Sequence, residues 1–233
     1  MRRSSETKKR LGKRRSAARI GRPPQGLAGE IEMRILDAAQ RVFLERGLAG
    51  ASIEEIAGIA RTAKTSIYAR FPSKEALFTT AVIRNVAANI ARFEDHVPTG
   101  ATIEERLADV GIALLHWALI DDNVDLMRLA IAEARRFPDL AGSVHRMARE
   151  RGTEGVARLL KEATQSDALG KAPAFTPECL TATAQFFLDL VFLPLMTRAL
   201  FGEKLKSLPA EIESHVVRSV VLFLAACRRG GVN

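Results

Sequence analysis

Between Lys64 and Tyr68 four side chains carry hydrogen-bond donors: the Lys64 ammonium, the hydroxyls of Thr65 and Ser66, and the Tyr68 phenol. On the outer face of a short helix, such groups can donate to base edges and phosphates in the major groove of DNA. Ile67 and Phe71, four residues apart, would turn inwards and hold that helix on its support. No comparable cluster supports catalysis. The four histidines, His96, His116, His145 and His215, are scattered, and none stands in the Glu-x-x-His spacing of helical di-iron sites. Glu104-Glu105 and Asp121-Asp122 are adjacent pairs at helix ends, where acidic residues cap or favour the helix dipole. Cys179 and Cys227 lie far apart without metal-ligand spacing and read as buried free thiols of a reducing cytoplasm. The expectation is therefore a protein that is not an enzyme and carries neither metal nor cofactor.

Charge points to the same partner. Residues 1–30 hold ten Lys or Arg against Glu6 and Glu30, so their net charge of +8 equals that of the whole chain. Dense like charge with few apolar residues predicts a disordered arm, 1–29, whose natural partner is a polyanion. Nucleic acid fits; a solubility tail or an anionic membrane surface would have the same composition. The arm is not followed by the apolar core of a signal peptide, because Leu11 and Gly12 give way to Lys13, Arg14 and Arg15. The richest apolar run, Phe186 to Met196, is interrupted by Asp189 and Pro194. A cytoplasmic protein without a membrane partner is expected.

The elements that must position the donors are helices. Ile31, Ile35, Ala39, Val42 and Phe43 recur at helical spacing from about Glu30, and Gly47 ends the run as a C-terminal cap. A second helix opens at Ser52, whose hydroxyl caps it while Glu55 reaches back, and buries Ile53, Ile56, Ala57 and Ala60. Arg61 to Ala63 separate it from the donor-bearing helix, Lys64 to Phe71, and Ser73 caps a fourth helix towards His96. Two short helices joined by a tight turn make a helix-turn-helix, whose second member enters the major groove; periodicity alone equally allows a short amphipathic helix in an ordinary bundle. Thr102 with Glu105 forms a capping box for a helix towards Ile120, which Asp121 to Asn123 break. Further helices are predicted at about Val124 to Arg136, Pro138 to Ala163, Pro177 to Phe201 and Pro209 to Arg229, with a loop from Thr164 to Thr176. The fold class is all-α.

The stretch from Ile56 to Phe78, IAGIARTAKTSIYARFPSKEALF, resembles the signature of the TetR family of transcriptional regulators. Ile35-Leu36-Asp37-Ala38-Ala39 and Phe43-Leu44-Glu45-Arg46-Gly47 extend the likeness over roughly residues 30–80. Arg128 to Leu140 resembles the C-terminal domain of the AefR-like branch. The resemblance implies a DNA-binding domain, 30–78, followed by a helical ligand-binding and dimerisation domain, 79–233. It also implies that Ser52 and Lys74 grip phosphates, that Lys64, Thr65 and Tyr68 read bases beside Ser66, and that Arg70 donates to phosphate where the family often has His. Arg61 stands where the family usually has Gly, so either it takes a left-handed conformation at roughly 1 kcal/mol or the turn differs locally. Ala63 replaces the usual Ser before the recognition helix, and Thr62 is expected to take over the cap. Gly21-Arg22-Pro23 resembles the core of a minor-groove hook, which puts Arg22 among the DNA-binding candidates.

In the larger part, Phe186 to Met196 is apolar nearly all round. Pro209 to Arg229 carries two stripes, Ile212, Val216, Val220 and Phe223 beside Val217, Val221 and Leu224. One stripe serves a subunit's own core, so two imply a second partner, the alternative being a large monomeric core in which such a helix is central. A homodimer interface through Phe187, Val191, Pro194, Val217, Val220, Val221 and Leu224 is expected. Trp117, Met127, Phe137 and Phe186 are candidates to line an effector cavity, with His116 or Arg128 as the polar group that orients the ligand, although aromatic and Met residues at helical spacing are more often plain core. The reading is a sequence-specific regulator of double-stranded DNA, a repressor released from a palindromic operator by a small, largely apolar effector. The alternative is an architectural DNA binder without an effector.

Overall fold

The computed structural model describes residues 25–166 and 172–229. The arm before residue 25, with Arg22, and the middle of the expected 164–176 loop lie outside the described residues. Among the described residues every regular element is helical. The order is α1 (Gln25–Gly50), α2 (Ile53–Ile59), α3 (Lys64–Tyr68), α4 (Lys74–Glu94), α5 (Ile103–Ala118), α6 (Asp121–Ala132), α7 (Pro138–Ser166), a single 3₁₀ turn at Pro173–Phe175, α8 (Leu180–Leu200) and α9 (Pro209–Arg228).

Local chemistry accounts for most of the boundaries. Gly47 takes φ 68° and ψ 173°, which glycine alone adopts cheaply, so α1 kinks there before a last turn ends at Gly50. The Ser52 hydroxyl accepts the Glu55 N–H at 3.1 Å, and the Ser73 hydroxyl accepts that of Ala76 at 3.0 Å. The Glu55 carboxylate lies 3.7 Å from Arg46. At α5 the capping box closes on both sides: Thr102 accepts the Glu105 N–H, and the Glu105 carboxylate accepts the Thr102 N–H, each at 3.2 Å. Asp121 to Asn123 do not end α5, which stops at Ala118 and is capped by Leu119; they form the first turn of α6, three residues earlier than the apolar pattern predicts. Carboxylates at that end are favoured by the helix dipole.

Two apolar cores result. One joins α1 to the first half of α4 through Ile35, Val42, Phe43, Ile56, Ile67, Leu77 and Phe78. Phe43 and Phe78 meet edge to face, their ring centroids 5.3 Å apart. This core does not end with the first four helices: Leu126 of α6 and Leu140 of α7 are buried in it, and Phe137 packs against Phe78. The second core is built by α5, α7, α8 and α9 around Leu107, Leu115, Leu160, Phe187, Val191 and Val216. Gly111 lets α5 approach α8 and α9, since a Cβ there would stand 2.8 Å from a Val216 methyl and 3.2 Å from one of Val191.

Two helices touch both cores. α4 buries Leu77, Phe78, Ala81 and Val82 in the first and packs Phe93 against the second. α6 gives Leu126 to the first, while Val124 is buried in the second and Met127 packs against it. By length and composition α8 could cross a bilayer, which its internal Asp189 and Pro194 do not prevent. One side of it is nevertheless built into the second core through Thr183, Ala184, Phe187, Val191, Leu195, Met196 and Ala199.

Candidate nucleic-acid interface

The turn before α3 decides where the donors point. Arg61 has φ 50°, and it is the single residue other than glycine with positive φ among the described residues. Around it the Thr62 N–H donates to Ala57 O at 3.0 Å and the Arg61 N–H to Gly58 O at 3.2 Å. That pairing is a Schellman motif with Arg61 at the position glycine usually holds. Thr62 is therefore a donor in the closure of α2 and does not cap α3. The N-cap is Ala63, extended and without any side-chain cap, because alanine has no acceptor to offer.

With the turn closed this way, Ile67 is fully buried and Phe71 nearly so, and the opposite face of α3 is left outward. Lys64 and Thr65 are exposed, Ser66 is half-buried, and half of the Tyr68 surface is open to solvent. The Lys64 ammonium forms an ion pair with Glu54, from the first turn of α2. Arg70 folds back along its own helix, its guanidinium donating to Ser66 O at 2.9 Å. The Lys74 ammonium donates to Ala51 O at 3.0 Å and Ala49 O at 3.3 Å, tying the start of α4 to the connection between α1 and α2. Ser52 spends its hydroxyl acceptor on the α2 cap. Two of the expected phosphate-gripping groups thus also hold the helix-turn-helix together.

Arg34, Asp37 and Arg41 of α1 and Arg61 of the turn line a concavity together with Ala38, Ile59 and Ala60. Neither this grouping nor Glu54 is legible from spacing alone. Glu54 and Lys64 are ten residues apart and meet only because the turn doubles the chain back; the one local hint is the left-handed arginine.

The second part distributes its expected residues differently from the sequence reading. Phe187, Val191, Val220 and Leu224 are buried within one subunit and cannot face a partner. An apolar helix without a single stripe does not say which side turns inwards. Pro194, Val217 and Val221 are exposed, in company with Phe186, Leu190, Leu193 and Leu222. The six effector candidates do not converge. Phe137 belongs to the first core, with Arg136 stacked 5.2 Å from its ring centre. Phe186 is 59% exposed and stands on the outer side of α8. Arg128 donates to the carbonyls of Ala199 and Leu200, neutralising the end of α8, and pairs with Asp125 at 2.7 Å. Met127 packs on the second core, His116 is exposed, and Trp117 stands edge-on to His96.

Near Trp117 the end of α4 is latched to α5. His96 Nε2 lies 2.7 Å from the Asp109 carboxylate, which also accepts the Thr99 N–H at 3.1 Å. Burial pushes the Asp109 carboxyl up, but the Thr99 N–H and His96 outweigh it and hold the group below its ordinary range. Burial raises the Cys227 thiol to about 11, so it is unreactive at neutral pH. Among the described residues no cluster of His, Cys, Asp and Glu is arranged to hold a metal ion.

Comparison with known proteins meets this geometry at both ends of the chain. Residues 35–81 match the profile of bacterial regulatory proteins of the tetR family, and residues 105–229 match the C-terminal domain of AefR-like transcriptional repressors. The HTH-type transcriptional regulator UidR of Escherichia coli is 28% identical over 160 residues, covering 68% of this chain and 76% of UidR. A TetR-family transcriptional regulator from Mesorhizobium loti superposes with a TM-score of 0.72 at 25% identity, over 85% of this chain and 97% of that one. The flavonoid-responsive regulator FrrA does so with a TM-score of 0.65 at 28% identity, over the same shares of the two chains. A helix-turn-helix with its donors turned outward, on a helical body of this family's shape, makes the chain a member of the TetR family of transcriptional regulators, of the AefR-like repressor class.

Proposed function

We propose that this chain is a homodimeric repressor that holds a palindromic operator through Lys64, Thr65, Ser66 and Tyr68, and that a small, largely apolar effector bound in the helical body releases it. The observation that carries the reading is the outward donor face of α3, fixed from behind by buried Ile67 and Phe71. Ser52, Arg70 and Lys74 would hold the backbone, the basic arm of residues 1–29 would add phosphate neutralisation, and Arg22 would enter the minor groove. The proposed division is 30–78 for DNA and 79–233 for effector and dimer, except that α1 starts at Gln25, inside the expected disordered arm, and that α6 and the start of α7 lend side chains to the DNA-binding core.

Support for the dimer is the outer side of α8 and α9. Phe186, Leu190 and Leu193 follow one another at helical spacing on α8, and Val217, Val221 and Leu222 stand exposed on α9. Such a concentration of apolar side chains on adjoining helices calls for cover. A two-fold pairing through these faces presents two recognition helices, which read successive major grooves when they stand about 34 Å apart.

Support for release is that α4 and α6 each touch both cores, so a change in the body core moves the reading head. Thr153 adds a polar feature inside the body: it is 4% exposed, and its hydroxyl has no hydrogen-bond partner among the described residues. A bound effector with a donor or acceptor would satisfy it. An effector that prefers a swung α4 weakens DNA binding by the same coupling free energy, typically about 1 to 3 kcal/mol.

Selection from a pool of random-sequence duplexes tests this reading. An inverted repeat with half-sites about one helical turn apart is the expected outcome. Binding without sequence preference would replace it with the architectural alternative.

A further inference from the structure

The ion pair between Glu54 and Lys64 is placed where a carboxylate is least expected. Glu54 is the second residue of α2, and its side chain is 63% exposed beside the donor face of α3. Against a polyanion, an unpaired carboxylate there would be repelled. The first turn of α2 gains little from it, because Glu55 already supplies a carboxylate to that end of the helix dipole and lies 3.7 Å from Arg46. Lys64, meanwhile, is the first residue of the recognition helix, the position from which a side chain reaches base edges.

Resting on the DNA-binding reading above, we infer that Glu54 and Lys64 act as one unit that reads a single G·C base pair of the operator. In the major groove a G·C pair offers the cytosine amino group as donor beside the O6 and N7 acceptors of guanine. A carboxylate accepts from the cytosine amino group, and an ammonium donates to the two guanine acceptors. The ion pair brings one acceptor and one donor side by side, complementary to that edge. It also meets the electrostatic cost within the protein, since Lys64 neutralises Glu54 before DNA arrives. Glu54 is thus a specificity-determining residue, and part of the affinity that a lone lysine would give to any sequence is traded for discrimination.

The experiment uses the full chain, as wild type, Glu54→Ala, Lys64→Met and the double variant. Each is titrated against the duplex that the wild type selects from a random-sequence pool and against every single-base-pair replacement of it. The wild type should discriminate about 5- to 150-fold at one G·C position. Each single variant should lose the preference there and keep it elsewhere, and the double variant should lose no more than either single one. Glu54→Ala, which keeps neither the acceptor nor the charge, should also bind unrelated duplexes more tightly. The inference is overturned if Glu54→Ala keeps the wild-type preference at every position, if the two losses add, or if it weakens all duplexes alike while its melting temperature falls. The last result would mark a merely structural residue. If the wild type itself selects no sequence, the underlying DNA reading fails; a selected sequence to which Glu54→Ala is indifferent removes the inference alone.

Discussion

Replacing Arg61 with glycine should make the protein more stable, although it removes a long side chain and creates no contact. Arg61 sits at φ 50°, held there by the two hydrogen bonds that close α2 at 3.0 and 3.2 Å. A left-handed conformation costs an L-residue about 1 to 2 kcal/mol through the approach of its Cβ to the backbone. Glycine removes that cost and keeps both hydrogen bonds. It also gains freedom in the unfolded chain, which takes back about 0.5 to 1 kcal/mol. The net gain is about 0.5 to 1 kcal/mol, or roughly 1 to 4 °C in melting temperature for a chain of this size. Thermal melting of wild type, Arg61→Gly and Arg61→Ala at one protein concentration is the assay, because dimerisation makes the midpoint depend on concentration. Alanine carries the same Cβ, so Arg61→Ala should show no such gain. A glycine variant that melts at or below wild type, or an alanine variant that gains as much, would refute the idea that the turn stores strain.

Three further outcomes follow from the same structure. Ala63→Ser should stabilise by about 1 kcal/mol, since it supplies the hydroxyl that the start of α3 lacks, and a urea titration reads it directly. Gly111→Ala should destabilise by about 1 to 3 kcal/mol, because its methyl group would meet Val216 at 2.8 Å inside the body core; an unchanged urea midpoint would show that α5 can move away. Asp109 titrates lower in the folded protein than in the unfolded chain, so its contribution is fully present above the ordinary carboxylate range and is lost as the pH falls through its own lowered value. Asp109→Asn should therefore narrow its stability deficit against wild type as urea midpoints are followed into acid, and a deficit constant with pH would contradict the latch.

Much of the local structure was legible because its signals lie within a few residues of one another. Ser52, Ser73 and Thr102 announce helix starts through a hydroxyl and the amide three residues on, and each forms that bond. Ile67 and Phe71 face inwards as their spacing requires, and the arginine in a glycine position does adopt positive φ. What stayed hidden depends on neighbours far along the chain. The pattern of α8 is apolar on every side, so only packing decides that Phe187 and Val191 turn in while Phe186 and Leu190 turn out. Phe137 reads as a cavity residue until the fold puts it against Phe78. The partnership of Lys64 with Glu54 needs the turn between α2 and α3 to bring the two together.

The central claim is that the outward face of α3 reads bases. The most direct test is a footprint on the selected operator with wild type, with Lys64→Ala and Tyr68→Ala combined, and with Lys74→Ala as a comparison. The combined variant should lose the footprint at wild-type concentrations while still binding unrelated duplexes at low salt. Lys74→Ala should weaken all sequences alike, with a shallower dependence on salt. A footprint of wild-type position and strength from the combined variant would contradict the claim.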